Sequence, residues 1–305
     1  MEKIYSHGKL LITAEYAVLD GAKALALPTK FGQTLEVKPI ESPEIRWKSF
    51  DHNGTLWFET TLQLPSFKAN PTNETAKRLS ECFLAIAKLQ PNFFAPHNGF
   101  EMHSHLEFPQ NWGLGSSSTL INNLAQWANV DAFTLLENTF GGSGYDIACA
   151  QHPRPIVYQR QNNKPYIKIV DFDPPFKDQL FFVHRNQKQN SREAIAHYNT
   201  LKTTQRLDFS ELNAITDALL VTTTLEEFEV LISKHETIVG TLIQQPPLKT
   251  THFADYQESV KSLGAWGGDF FLATGNNHHY FKDKGYTTII PFGEMVKSDE
   301  TENLY

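Results

Sequence analysis

Gly113-Leu114-Gly115-Ser116-Ser117-Ser118 runs directly into Leu120, Ile121, Leu124, Trp127 and Ala128, apolar residues that share one helical face. Upstream, Phe100, Met102, Leu106 and Phe108 share one parity, which predicts a half-buried strand ending at Pro109. The segment therefore reads as strand, glycine loop, helix. Glycines let a backbone approach an anion, and the N–H groups of a helix start point toward it. Such a loop suits a nucleotide triphosphate, with the serine hydroxyls adding hydrogen bonds or a ligand to magnesium. The same residues also suit a serine-rich turn that merely caps a helix.

Strand patterns lie on the N-terminal side. Ile4 to Ile12, Ala24 to Leu27 and Gln33 to Val37 read as strands, and Ile45 to Phe58 alternates around a turn at Asp51 to Gly54. Tyr16 to Leu19 reads as further strand, leading into Asp20-Gly21, a dipeptide suited to a hairpin. From a cap at Asn73, the residues Leu79, Phe83, Ile86 and Leu89 predict a helix that Pro91 ends. On the C-terminal side, short helices are expected at Ala132 to Phe140 and Tyr145 to Ala150, and strands at Pro155 to Tyr158 and Tyr166 to Val170. Asp171-Phe172-Asp173-Pro174-Pro175 is the expected linker. It divides the chain into an N-terminal domain over 1–172 and a C-terminal one over 173–301. Residues 302–305, Glu302-Asn303-Leu304-Tyr305, read as a tag remnant. Beyond the linker come a strand at Leu180 to Val183, helices over Ser191 to Leu201, Leu212 to Leu219 and Leu225 to Ile243, and a glycine turn before a strand at Phe270.

The chain has 305 residues, 40% hydrophobic and 20% charged, enough for two modest domains. Its net charge of −7 leaves no overall footprint for nucleic acid or an anionic membrane. Two cysteines, Cys82 and Cys149, exclude a disulfide framework and a thiolate zinc site, and favour a reducing compartment. Neither a signal peptide nor a spanning run is visible, so a cytoplasmic protein is expected.

Several standard nucleotide and hydrolase motifs fail. Gly8-Lys9 is followed by Leu10, so no GxxxxGK[ST] loop exists. Gly113-x-Gly115 lacks the third glycine of a dinucleotide fingerprint, and Gly141-x-Ser143 is followed by Tyr145 where a hydrolase elbow needs glycine. His103-x-His105, His278-His279 and Asp171-x-Asp173 each lack a third metal ligand at telling spacing. Two further glycine loops stand out, Gly142-Ser143-Gly144-Tyr145-Asp146 and Gly264-Ala265-Trp266-Gly267-Gly268-Asp269. Asp146 reads either as a helix cap or as an acid–base group, and the late loop either as a hairpin with a solvent-facing Trp266 or as part of a site.

Taken in order, these blocks resemble the GHMP kinase superfamily, which includes galactokinase, homoserine kinase, mevalonate kinase and phosphomevalonate kinase. The opening strand and turn are matched by Gly8-Lys9 through Glu15-Tyr16-Ala17-Val18-Leu19-Asp20-Gly21, and the phosphate loop by Gly113 to Thr119. Ser143-Gly144-Tyr145-Asp146 and the loop Gly264 to Asp269 complete the series. Departures are Ala14 for a usual glycine, His7 for a usual proline, Trp266 within the late loop, and a short stretch between the phosphate loop and Asp146.

The resemblance implies an α+β fold of two domains with the active site in the cleft between them. It further implies an ATP- and Mg2+-dependent kinase acting on a small molecule, as a monomer or homodimer. On that basis Asp146 is the general base and Lys9 the cation beside the transferring phosphoryl group. ATP phosphates would lie on Gly113, Leu114, Gly115, Ser116, Ser117 and Ser118, and magnesium on Ser117 and Glu137. Substrate contacts would come from Glu15, Ser143, Gly144, Lys188, Ser191, Arg192, Gly267, Gly268 and Asp269. The basic run Arg185, Lys188 and Arg192 suits a carboxylate and a phosphate, or equally a solvated loop. The motif details lean toward phosphomevalonate over mevalonate as acceptor. Other kinases of the superfamily, diphosphomevalonate decarboxylase and a non-catalytic sensor on the same scaffold are the alternatives.

Overall fold

Alternating burial along Glu2–Leu11, strand β1, and a 17-residue strand β2 (Ala24–Ile40) shows how the N-terminal apolar pattern is used. The two strands expected at Ala24 and Gln33 are thus one. A computed structural model describes residues 1–71, 73–95, 99–162, 164–187, 191–203, 207–266 and 268–297. Lys188, Gly267 and the 302–305 segment lie outside the described residues, as do the side chains of Ser191 and Arg192. The chain forms two compact units. One comprises Met1–Gly8, Phe31–Gln110 and Leu114–Gln151, the other Lys9–Lys30, Asn111–Gly113 and His152–Tyr305.

In the first unit, strands β3 (Glu44–Phe50) and β4 (Leu56–Gln63) form the expected hairpin, its turn held by Asp51 Oδ1, which accepts from the N–H groups of Asn53 and Thr55. With β5 (Lys68–Asn70), β6 (Gly99–Leu106) and the distal part of β2, the strand order is β5-β4-β3-β6-β2, with β1 also paired to β2. The β3–β6 pair is parallel. Helix α1 (Glu74–Leu89) starts where expected, because the Asn73 side chain accepts from the Ala76 N–H. It packs with α2 (Ser116–Ala128) and α3 (Ala132–Glu137) into the core, and α4 (Tyr145–Gln151) follows. Phe83 sits at the centre, fully buried and ringed by Trp47, Phe67, Phe94 and Trp127 at centroid distances of 6.0–6.3 Å.

The second unit pairs the proximal part of β2 with β7 (Ile156–Gln161), and β7 with β8 (Lys164–Ile169). Its other sheet is antiparallel and ordered β10-β11-β9-β12. These strands are β9 (Leu180–His184), β10 (Val260–Ser262), β11 (Phe270–Thr274) and β12 (Ile289–Pro291). Helices α5 (Ser191–Lys202), α6 (Ser210–Leu219) and α7 (Leu225–Ile243) intervene, followed by the short α8 (Leu248–His252), α9 (His278–Asp283) and α10 (Phe292–Met295).

Tyr16 to Leu19 is not a strand. Ala17–Asp20 is a 3-10 turn bounded by Tyr16 at φ 63° and Gly21 at φ 96°. Asp20-Gly21 therefore closes a helical turn, where glycine takes a left-handed conformation without strain. Ala17 and Val18 are apolar because the turn itself is buried. Sheets and helices together make an α+β chain, and among the described residues no helix is long and apolar enough to cross a membrane.

Candidate active site

In the first unit, the glycine loop ends on Gly115 at φ 88°, which caps α2 with no side-chain hydrogen bond. Gly115 has no side chain with which to cap the 13-residue helix, a terminus suited to receive an anion. Ser116 is half-buried, Ser117 exposed and Ser118 buried. The Ser118 hydroxyl donates to Asp146 Oδ2, and Asp146 Oδ1 accepts from the Ile147 N–H at 3.0 Å. Asp146 is half-buried on the first turn of α4, following Gly144 at φ 88°. The carboxylate is therefore held at both oxygens.

A buried polar network sets the helices that carry this pair. Thr119 donates to Gln33 Oε1 at 2.5 Å, and Gln33 Nε2 donates to Ser104 at 2.6 Å. Asn123 Nδ2 donates to the Gln33 carbonyl, while Ser6 links Asn122 and Asn123. Gln151 at the end of α4 donates to Asn122 at 3.1 Å. Each buried group is satisfied by another, which fixes α2 against the sheet and α4 against α2. Glu137 is exposed at the last position of α3, and Ser143 is half-buried.

In the second unit, Lys9 Nζ donates to the Gly113 carbonyl at 2.7 Å. Segment Asn111–Gly113 is anchored by His184 Nε2, 3.0 Å from the Asn111 carbonyl, and by Trp112 edge-on to Phe270 at 5.3 Å. Gly113 has φ 66°, and a Cβ added there would lie 2.2 Å from the Asp269 carboxyl carbon. Asp269 thus packs on the bare α-carbon of the first loop glycine, and Lys9, Gly113 and Asp269 come together. Gly268 is buried. Asp269 joins a short ladder: its N–H donates to the Gln187 carbonyl and its carbonyl accepts from the Arg185 N–H. Arg185 Nη2 lies 3.5 Å from His252 Nε2, and its Nε is buried without a hydrogen-bond partner among the described residues. Trp266 is buried rather than solvent-facing, with its ring against Gly240 of α7.

Glu15 is fully buried, and its Oε1 receives Lys261 Nζ at 2.5 Å. Lys261 also donates to the Ser262 carbonyl and lies 3.7 Å from Glu236, which accepts from the Ser262 hydroxyl at 3.0 Å. His235 Nε2 accepts from the Ala14 N–H at 2.8 Å. Burial pushes the Glu15 carboxyl up to about 7, partly offset by Lys261, and also raises Glu236. Burial, then Lys261, hold His235 well below its ordinary value, so it stays neutral and able to accept. Ala14 has φ 64°, the left-handed conformation that its departure from the usual glycine makes unfavourable. Lys261, His235 and Glu236 were missed in the sequence. The letters around Lys261, Ser259-Val260-Lys261-Ser262-Leu263, alternate polar and apolar and give no sign that this lysine is buried.

No protein-family model matches the chain, and no curated protein matches it. Solved structures do. A mevalonate kinase superposes with a TM-score of 0.68 at 17% identity, over 98% of this chain and 100% of that one. Streptococcus pneumoniae phosphomevalonate kinase in complex with phosphomevalonate and AMPPNP gives 0.66 at 17% identity, over 95% and 99%. Lactococcus lactis galactokinase complexed with galactose gives 0.70 at 13% identity, over 97% and 93%. Over nearly its whole length, this chain has the fold of the GHMP kinases.

Proposed function

We propose that the protein is an ATP-dependent phosphotransferase of the GHMP type acting on a mevalonate-pathway acid. The observation that carries this reading is the Asp146 carboxylate, held by Ser118 at the uncapped start of α2. The helix start would receive the ATP phosphates on Gly113 to Ser118. The acceptor oxygen would attack the γ-phosphorus as the bond to ADP breaks, Lys9 offsetting the charge that gathers there. A hydroxyl acceptor would pass its proton to Asp146. Ser117 and Glu137 offer the oxygen donors that magnesium prefers and would hold it; bound there, it would neutralise the β and γ oxygens.

Phosphomevalonate is narrowly our favoured acceptor, supported by Arg185, whose buried Nε is unpartnered beside the Asp269 ladder. A guanidinium in that condition suits a carboxylate or phosphate. Mevalonate is the second reading. Asp146 itself favours it, because a hydroxyl must lose a proton on transfer whereas a phosphate oxygen is already ionised at neutral pH. Purified protein with ATP and Mg2+ is assayed against phosphomevalonate, mevalonate, homoserine and galactose. Transfer to phosphomevalonate or mevalonate is expected, and transfer only to homoserine or galactose rejects the acceptor class. No transfer to any of the four rejects the kinase reading.

A further inference from the structure

His103-x-His105 offers two metal donors in the sequence, and the fold adds a third. Even-numbered residues of β6, Phe100 and Met102 among them, enter the core with α1 and α2, so His103 and His105 stand together on the opposite face of the sheet. Glu36 of β2 lies directly across from His103, and Phe50 of β3 lies across from His105. One donor atom from each of Glu36, His103 and His105 falls within 4.8 Å of the other two. Glu101, two residues before His103 on the same face, brings Oε1 to 3.4 Å from His103 Nε2.

These groups converge at ion-pair distances of 3.4–3.7 Å, yet not as hydrogen bonds. His105 Nε2 is 3.7 Å from Glu36 Oε2, beyond hydrogen-bond length, and among the described residues neither imidazole Nε2 has a hydrogen-bond partner although both are shielded from solvent. Glu36 reaches Lys3 only at 3.7 Å. The Phe50 ring stacks on His105 at 4.7 Å with planes 6° apart, which fixes the imidazole orientation. Two shielded nitrogens beside two carboxylates form a donor set that a cation completes, since buried polar atoms otherwise forfeit their hydrogen bonds.

We propose that His103, His105 and Glu36 bind a borderline divalent cation of the Zn2+ type, with Glu101 as fourth donor, tying β2 to β6. Mixed imidazole and carboxylate ligands select zinc over magnesium, which prefers oxygen alone. A tetrahedral site with bonds of about 2.0–2.2 Å needs donors only somewhat closer together than they lie here, a change within reach of side-chain rotation. The site is independent of the kinase reading.

Chelator-treated full-length protein is titrated calorimetrically with ZnCl2, and its thermal unfolding is followed with and without the metal. One equivalent per chain with micromolar or tighter affinity is expected, with a rise in Tm on adding zinc because only the folded chain presents all the donors. The double variant His103→Ala/His105→Ala should lose at least about 10- to 100-fold in affinity, together with the Tm rise. Glu36→Gln, which keeps both imidazoles and the side-chain shape, should weaken binding in the same direction and carries the test if the double variant does not fold. Absence of zinc binding by the wild type overturns the proposal. So does affinity unchanged in Glu36→Gln and, where it folds, in the double variant.

Discussion

Asp146 and Glu15 are carboxylates with opposite surroundings. Asp146 is half-buried at a helix start, bonded to the neutral hydroxyl of Ser118 and one backbone N–H. Glu15 has no exposed surface and meets Lys261 at 2.5 Å, with His235 at 3.4 Å and Glu236 3.7 Å from the same ammonium. The two lysines differ in the contacts they make. Lys9 donates to the Gly113 carbonyl, whereas Lys261 meets the Glu15 carboxylate inside the unit. A carboxylate bonded to neutral groups remains available to a substrate; one consumed by its counter-ion holds structure. The first arrangement suits chemistry and the second suits architecture, although the residue types are the same.

The largest effect expected from breaking this contrast is on turnover. Asp146→Asn preserves the shape and the Ser118 contact but removes the base, and with a hydroxyl acceptor it should lower kcat about 100- to 10,000-fold while the unfolding midpoint hardly moves. With a phosphate acceptor no proton need be taken up, and the loss should be far smaller, so steady-state kinetics of this one variant sharpens the choice of substrate. Near-normal turnover on mevalonate would reject Asp146 as the base. Lys9→Met should depress kcat with either acceptor, because charge gathers on the transferring group in both.

Lys261→Met should act on stability instead. Stranding the charge of Glu15 and Glu236 should cost about 3–5 kcal/mol in denaturant unfolding at pH 8. The cost should shrink toward pH 5, since Glu15 already has its carboxyl pushed up to about 7 and can take a proton in place of its partner. A cost of the same size at both pH values would show that the ammonium is not what keeps these carboxylates ionised.

Much of the architecture is legible because local patterns and tertiary packing agree. Asn73 before the Leu79, Phe83, Ile86 stripe, and the alternation through Met102, both lead to the observed elements. Tyr16 to Leu19 misleads because burial of a turn yields the same run of apolar letters as a strand. The Ser118–Asp146 bond joins two motifs that the sequence presents as separate glycine loops. Long-range partners have no such local signature. Glu15 with Lys261, 246 positions away, and Glu36 with His103 are joined only by folding, and nothing in the letters around either member names the other.

The smallest effect expected is a pair of opposed pH slopes within the buried cluster. His235 is held below its ordinary value of 6.5, so as pH falls past that point the unfolded chain takes up a proton that the folded one refuses, and stability is lost. Glu15 runs the other way: between about 7 and its ordinary 4.5 the folded chain holds the extra proton, and stability grows as pH falls. The two contributions oppose each other over much of the same window, each bounded by about 1.4 kcal/mol per pH unit. Wild-type stability should therefore change little there on their account. His235→Gln should gain on the wild type as pH falls below 6.5. Glu15→Gln should lose ground as pH falls from 7 to 4.5. Referring each variant to the wild type at the same pH cancels the titration of distant groups. Denaturant unfolding at several pH values reads the two differences directly, and slopes of the same sign would mean that the imidazole and the carboxyl do not titrate as their burial requires.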